Sequence, residues 1–310
     1  MRPACWRSAS PKSRNNRTGS RVVRAATLDI RTIALTLLAL ISFASNSLLT
    51  RLALEPPRID AATFTSIRLT AGAVMLAILV RAQAGGGVSR QRRGVGGPLA
   101  LLVYAVPFSF AYLRIGAAVG ALVLFGVVQL TMIGYGIVRG ERPSRTTWLG
   151  LTLAVAGLAA LTLPSAARPD PMGVLLMAVA GVAWGVYSLV GRTATDPIAA
   201  NAWSFLCSGP PAILFGIAFS GPIVASSRGI VLALISGAIT SALGYAVWYR
   251  ALPRLSVTQA AVAQLSVPVI AAVGAAALLG ETLSGRFAIS AAAILSGVAL
   301  ALSARVRRRA

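Results

Sequence analysis

Ten stretches of this chain run apolar for close to the length of a membrane-crossing helix, at about 32–52, 61–81, 97–114, 117–138, 146–164, 172–191, 198–219, 229–250, 257–279 and 285–304. A helix needs about 20 residues to cross roughly 30 Å of hydrocarbon. A chain with this many such stretches cannot bury them all in a core surrounded by water, so lipid must be its solvent. Composition agrees: 56% of the residues are hydrophobic, 12% are charged, and the mean hydropathy is +0.78. The expected fold is an all-α integral membrane protein. The third run, "GPLALLVYAVPFSFAYLR", is the shortest and carries Pro107, which kinks a helix and frees a carbonyl that neighbours must satisfy.

The net charge of +22 does not point to nucleic acid. The basic residues lie in the tails and in short connections between apolar runs, not on a basic face interleaved with aromatics. No nucleic-acid partner is expected; the partners are the bilayer and a small-molecule substrate, and the sequence gives no oligomeric state. Histidine is absent, and Cys5 and Cys207 are the only cysteines, so a disulfide framework or a zinc site is excluded and no cofactor is expected. Residues 1–28 are basic, polar and without periodicity, and read as a disordered cytoplasmic tail; residues 305–310 form a basic cytoplasmic C-terminus.

If all ten runs cross the membrane, the Lys and Arg residues divide unequally between its two faces. Arg51, Arg58, Arg114, Arg168, Arg228 and Arg286 fall on one side and Arg68 inside a span; the rest of the 29 fall on the side of the termini. Cytoplasmic loops carry the excess of positive charge, which puts both termini in the cytoplasm of a bacterial-type inner membrane. With the tails set aside the bias is weaker, so it supports the overall orientation better than that of any single loop.

The chain also repeats itself. A slide of 140 residues without a gap lays Gly140-Glu141 on Gly280-Glu281, Gly157 on Gly297, Arg114 on Arg254, Phe108 on Trp248, Ala111 on Ala251 and Ala121 on Ala261. A slide of 141 matches "FASNSLLTR" at 43–51 to "WGVYSLVGR" at 184–192. Two halves are implied, at 30–164 and 171–304, each of five helices. Since five is odd, the second half is inverted in the membrane relative to the first, as in many secondary transporters.

At these residues the chain resembles the drug/metabolite transporter superfamily, EamA type. The resemblance is carried by "FASNSLLTRLAL", "FTSIRLTAGAVML", "RGERPSRTTWLGLTLAVAGLAAL" and "LSVPVIAAVGAAALLGETLSGRFAISAAAILSGVALAL", covers about residues 30–304, and is strongest in the second half. It implies ten transmembrane helices as two inverted five-helix repeats, and a secondary active transporter that exports a small metabolite, amino-acid-like, zwitterionic or amphipathic, through a cavity between the bundles. A passive channel or facilitator is the alternative. The family's proline thirteen residues before the glutamate is Pro268 in the second half; the first half has Val128 there, so the hinge of the ninth helix is not expected in the fourth.

Carriers driven by ions need a group that can gain and lose charge near the membrane centre. All of Asp29, Glu55, Asp60, Glu141, Asp170, Asp196 and Glu281 fall in tails, loops or helix ends, which argues against proton-driven export of cations through a buried carboxylate. Neither a nucleophile–base arrangement nor a phosphate-binding glycine loop with lysine occurs, so neither an enzyme nor an ATP-driven pump is expected.

Candidate substrate-binding residues are therefore neutral, with one exception. Arg68 lies about seven residues into the second helix, roughly 10 Å deep at a rise of 1.5 Å per residue. It either attracts an anionic or zwitterionic substrate or serves structure, by snorkelling or by pairing with Asp60 or Glu55. Ser42, Asn46 and Thr50 recur every four residues and share a face. Trp184 and Tyr187 take the places of Phe43 and Asn46 in the repeat, Tyr245 shares a face with Trp248 and Tyr249, and Gln129 and Gln264 lie well inside the fourth and ninth helices. The binding set is Ser42, Asn46, Arg68, Gln129, Trp184, Tyr187, Tyr245 and Gln264, unless these side chains only pack helices together. Trp248 and Tyr249 read as interface aromatics, and Arg51 and Arg192 as end-of-helix anchors. Glu141 is expected at the N-terminal side of the fifth helix, favoured by its dipole and offset by Arg139, Arg142 or Arg145.

Overall fold

The computed structural model describes residues 29–55, 57–83, 94–115, 117–162, 170–219, 223–280, 282–304 and 307–308. The expected tail at 1–28, most of 305–310, and Glu281 lie outside the described residues. Within them the apolar runs become helices: α1 (Ile30–Leu54), α2 (Ala61–Gln83), α3 (Gly96–Tyr112), α4 (Ala117–Val138), α5 (Arg145–Thr162), α6 (Pro171–Gly191) and α7 (Pro197–Phe219). The eighth run is one rod in four pieces, α8 (Ser227–Ile235), a π-helical segment at Ser236–Leu243, α9 (Gly244–Ala251) and a 3₁₀ turn at Leu252–Arg254. The ninth joins α10 (Val257–Ala263) through a 3₁₀ turn at Gln264–Ser266 to α11 (Val267–Leu279), and α12 (Gly285–Ser303) follows. Eight of the described helical rods are long and apolar enough to cross a membrane, and α3 is a shorter apolar helix.

The acidic residues start helices. Asp29 accepts from the Thr32 amide at 3.0 Å and caps α1; Asp170 accepts from the Gly173 amide at 2.7 Å and caps α6. The hydrogen bond from Thr32 holds the Asp29 carboxyl below its ordinary pKa. Asp60 and Asp196 do the same work for α2 and α7. A side-chain oxygen at this position satisfies an amide that has no partner within the helix. Asp29 and Asp170 stand 141 residues apart, so the repeat is written in the caps as well as in the spans.

It is written in the turns too. Gly140 and Gly280, 140 residues apart, have φ of 86° and 70° and close α4 and α11; they are the positive-φ residues among those described. An L side chain rarely takes that conformation, which is why glycine stands there. The Pro268 difference also has a consequence in the backbone. The ninth rod breaks just before Pro268, whereas α4, with Val128, runs unbroken.

Packing follows the same exchange. Helix α2 packs on α7 and α5 on α12; α1 lies against the eighth rod and α11 as α6 lies against α3 and α4; α2 meets the eighth rod as α7 meets α3. Exchanging the first five rods for the second five maps each of these pairings onto itself or onto another. The α5–α12 crossing is the tightest. A β-carbon on Gly297 would stand 2.5 Å from the Gly150 carbonyl and 2.6 Å from the Ala154 amide, and one on Gly157 would stand 3.0 Å from the Ile294 amide. Ala154 and Ile294 are again 140 apart. Leu130, Leu149, Leu278 and Ile289 present their side chains outward from the bundle, as lipid allows.

Candidate functional site

At the centre, aromatic side chains from α1, α3, α6 and the eighth rod meet. Trp184 lies 5.1 Å from Phe43, 4.9 Å from Tyr104, 5.8 Å from Tyr187 and 4.8 Å from Tyr245 between ring centroids. Its indole nitrogen donates to Gln264 Oε1 at 2.6 Å, and Gln264 Nε2 donates to the Ala260 carbonyl at 3.1 Å. The Tyr187 hydroxyl donates to Asn201 Oδ1 at 2.6 Å and that of Tyr249 to the Tyr187 carbonyl at 3.0 Å. These bonds fix the rings as a layer across the bundle, because a buried polar end that found no partner would cost about 1–3 kcal/mol.

Arg68 borders this layer and is wholly buried. Its Nε donates to Ser241 Oγ at 2.9 Å and its Nη2 to the Tyr245 hydroxyl at 2.6 Å; the guanidinium lies 5.5 Å from the Tyr104 ring centroid and 5.8 Å from that of Phe108. Nη1 has no hydrogen-bond partner among the described residues. Neither snorkelling nor the carboxylate pairing occurs, since Glu55 faces Arg51 at 4.0 Å and Asp60 caps its own helix. The π-helical segment that supplies Ser241 seats closely here, and a side chain on Gly237 would collide with the Arg68 carbonyl.

Beside it, Asn46 Oδ1 accepts from Ser236 Oγ at 2.7 Å and lies 3.3 Å from Thr240 Oγ1. Thus the polar stripe of α1 faces the eighth rod. Ser42 follows that stripe away from the rings: its hydroxyl donates to the Leu38 carbonyl, and its β-carbon packs on Gly244. Gln129 is also apart, bridging helices through a 2.7 Å bond from Nε2 to the Ala261 carbonyl, with Oε1 buried and unpartnered among the described residues. Of the eight residues singled out from sequence, Asn46, Arg68, Trp184, Tyr187, Tyr245 and Gln264 converge on the ring layer, and Ser42 and Gln129 do not.

Tyr104, Phe108, Ser236, Thr240 and Ser241 were not among them, though they complete the layer. The i, i+4, i+8 recurrence of Tyr104, Phe108 and Tyr112 was the signal available for the first two. Trp248 and Tyr249 are core residues and not interface aromatics, at 0% and 1% exposure, with Trp248 donating to Ser188 Oγ at 3.1 Å. Arg192 caps the eighth rod, donating to the Leu252 and Leu255 carbonyls at 3.1 and 2.6 Å.

Two cavities approach the layer from opposite ends. One, of about 560 Å³, runs from Arg51 and Glu55 between α1, α4, α5, α11 and α12. Through Ser47, Leu124, Phe125 and Val267 it adjoins a void of about 20 Å³ walled by Phe43, Tyr104, Phe108, Trp184 and Tyr245. The other, of about 580 Å³, lies among α2, α3, α6 and α7 with Tyr249 in its wall.

Glu141 belongs to the end away from Arg51. It is 3% exposed and accepts from the Val257 amide at 2.9 Å, the Thr258 amide at 3.1 Å and the Thr258 hydroxyl at 2.9 Å. The carboxylate therefore serves α10 in the second half of the chain, and not α5 as its place in the sequence suggested; α5 takes Ser144 as its cap. A short antiparallel pair, β1 (Glu141–Arg142) with β2 (Arg307–Arg308), ties the same loop to the C-terminal segment.

Residues 171–303 match the model of the EamA-like transporter family. An uncharacterized protein of Pseudomonas aeruginosa is 48% identical over 282 residues, 91% of this chain and 98% of that one. A Salmonella typhimurium protein described as a probable amino-acid metabolite efflux pump is 28% identical over 66% of this chain and 74% of its own. A crystal structure 22% identical in sequence superposes with a TM-score of 0.71, covering 85% of this chain and 97% of that one.

Proposed function

Because the chain belongs to the EamA-like transporter family and is a membrane transporter, we propose that it is a secondary active carrier exporting a small metabolite by alternating access. In this reading ten helices cross the membrane as two inverted five-helix repeats at 30–164 and 171–304. The caps at Asp29 and Asp170, the glycines at 140 and 280, and the symmetric helix pairings support it. With both termini in the cytoplasm of the inner membrane, the Arg51 cavity faces outward and Glu141 lies at the cytoplasmic end.

The observation that carries the proposal is the ring layer between two cavities. The outward vestibule of about 560 Å³ is large enough for a small solute, and the void at its inner end holds about one water. A solute entering from one side meets aromatic side chains held by hydrogen bonds to several helices, and passage requires the layer to open on the other side. That favours a carrier over a passive facilitator, which needs a continuous lumen. Asn46, Arg68, Trp184, Tyr187, Tyr245 and Gln264 contact the substrate in this reading, with Ser42 and Gln129 holding helices around it. An amino-acid-like, zwitterionic or amphipathic solute suits a site with one cation and many rings, and the name of the Salmonella relative supports that class.

Counterflow in proteoliposomes tests it. Vesicles preloaded with unlabelled amino acids and other small metabolites, one compound at a time, are expected to accumulate the labelled compound faster than empty vesicles for at least one of them. Flux that is independent of the internal compound would identify a facilitator, and no flux for any compound would remove the export reading.

A further inference from the structure

Arg68 is a permanent cation sealed in the bundle with neutral partners. Its guanidinium carries five N–H donors and stays charged at every physiological pH. The chain answers it with two hydroxyls, Ser241 and Tyr245, and two ring faces, Tyr104 and Phe108. Arginines buried for structure are paired with carboxylates, because an uncompensated buried charge is expensive. The nearby carboxylates are committed elsewhere, Glu55 to Arg51 and Asp60 to the first turn of α2. A neutral side chain could stitch α2 to the eighth rod at a smaller desolvation cost. The charge itself, together with the open Nη1, needs another explanation.

We infer that the missing counter-ion arrives with the substrate: Arg68 binds a carboxylate of the transported molecule, and the substrates are amphipathic monocarboxylates, including amino acids with apolar or aromatic side chains. This rests on the reading of the vestibule as a carrier's entrance. The fork of a guanidinium matches a carboxylate in shape, and one fork with two hydroxyl neighbours balances a single negative charge better than a phosphate dianion. Three of the side chains that touch Arg68, namely Tyr104, Phe108 and Tyr245, also wall the void at the inner end of the vestibule. A carboxylate therefore reaches Nη1 only when these rings part, and the substrate's apolar body takes the place of the rings against Trp184 and Phe43. A cationic solute of the same shape meets an unopposed positive charge.

Three probes with one body and different charge test this on the purified protein: 3-phenylpropionate, 3-phenylpropanamide and phenethylammonium, with L-phenylalanine as the zwitterion. Equilibrium dialysis of labelled probes is expected to give the acid and the zwitterion at least about tenfold tighter binding than the amide or the cation. Arg68→Gln is expected to abolish the preference, and Arg68→Lys, which keeps the charge without the fork, to reduce it. An amide bound within twofold of the acid, or no binding of either carboxylate, overturns the inference on wild-type protein alone, whether or not the variants fold. A folded Arg68→Gln protein that keeps the preference also overturns it. Counterflow of any metabolite without charge preference would leave the carrier standing and remove the carboxylate site; charge-selective binding without counterflow would do the reverse.

Discussion

Replacing Glu141 by alanine tests how the two halves of the chain are held together at the end away from Arg51. The carboxylate receives three hydrogen bonds from the first turn of α10, the Val257 and Thr258 amides and the Thr258 hydroxyl, while Ser256 takes the Gln259 amide in a capping box. Bonds to an ionised group contribute about 1.5–3 kcal/mol each. The site lies at a helix end, where water replaces part of what is lost, so roughly 2–4 kcal/mol is expected for Glu141→Ala. At about 2–4 °C per kcal/mol, the apparent melting temperature in detergent falls by roughly 4–10 °C at a fixed scan rate. Glu141→Gln keeps one acceptor oxygen and should lose about half as much. Thr258→Val removes the hydroxyl and keeps the shape; in the Glu141→Ala background its cost is expected to shrink by about 0.5 kcal/mol or more, the signature of a direct pair. A melting temperature within about 1 °C of wild type for Glu141→Ala, or strict additivity with Thr258→Val, would refute the reasoning.

At the α5–α12 crossing, Gly297→Leu forces a side chain against the Gly150 carbonyl and the Ala154 amide, so a loss of about 3 kcal/mol or more and a collapse of the monodisperse peak in size-exclusion chromatography are expected. Gly126→Ala, where nothing lies within 4 Å, is the matched change that should elute like wild type. Trp184→Phe keeps a ring in the layer but strands Gln264 Oε1; a loss of about 1–3 kcal/mol is expected in thermal melts, and Trp184→Phe combined with Gln264→Leu should recover part of it. The ring layer holds no carboxylate or histidine among the described residues, so probe binding should stay level from about pH 6 to 8 in dialysis; a sigmoidal change across that window would mean that a titrating group has been overlooked.

Helix positions were legible because length and hydropathy alone decide them: the fourth run was expected at 117–138 and α4 spans those residues. The duplication was legible as well, since a gapless offset preserves caps and turns along with sequence. Facing was not. Ser42, Asn46 and Thr50 share a stripe, but which neighbour a stripe meets depends on how ten rods assemble, and it meets the eighth rod and not an open cleft. The π-helical segment that turns Ser236, Thr240 and Ser241 inward leaves no mark in a pattern of apolar residues. Glu141 shows the same limit from the other side. Its sequence neighbours are arginines and α5, and its bonding partners lie 116 and 117 residues further on.

Helix α2 carries Arg68, whereas its counterpart α7 has no lysine or arginine along its length. A carrier built from two identical halves would present the same affinity to both sides of the membrane and would run equally well in either sense. An off-axis charge removes that equivalence. The half-saturating concentrations at the two faces are expected to differ, and reconstituted vesicles of mixed orientation should show two kinetic components where right-side-out vesicles show one.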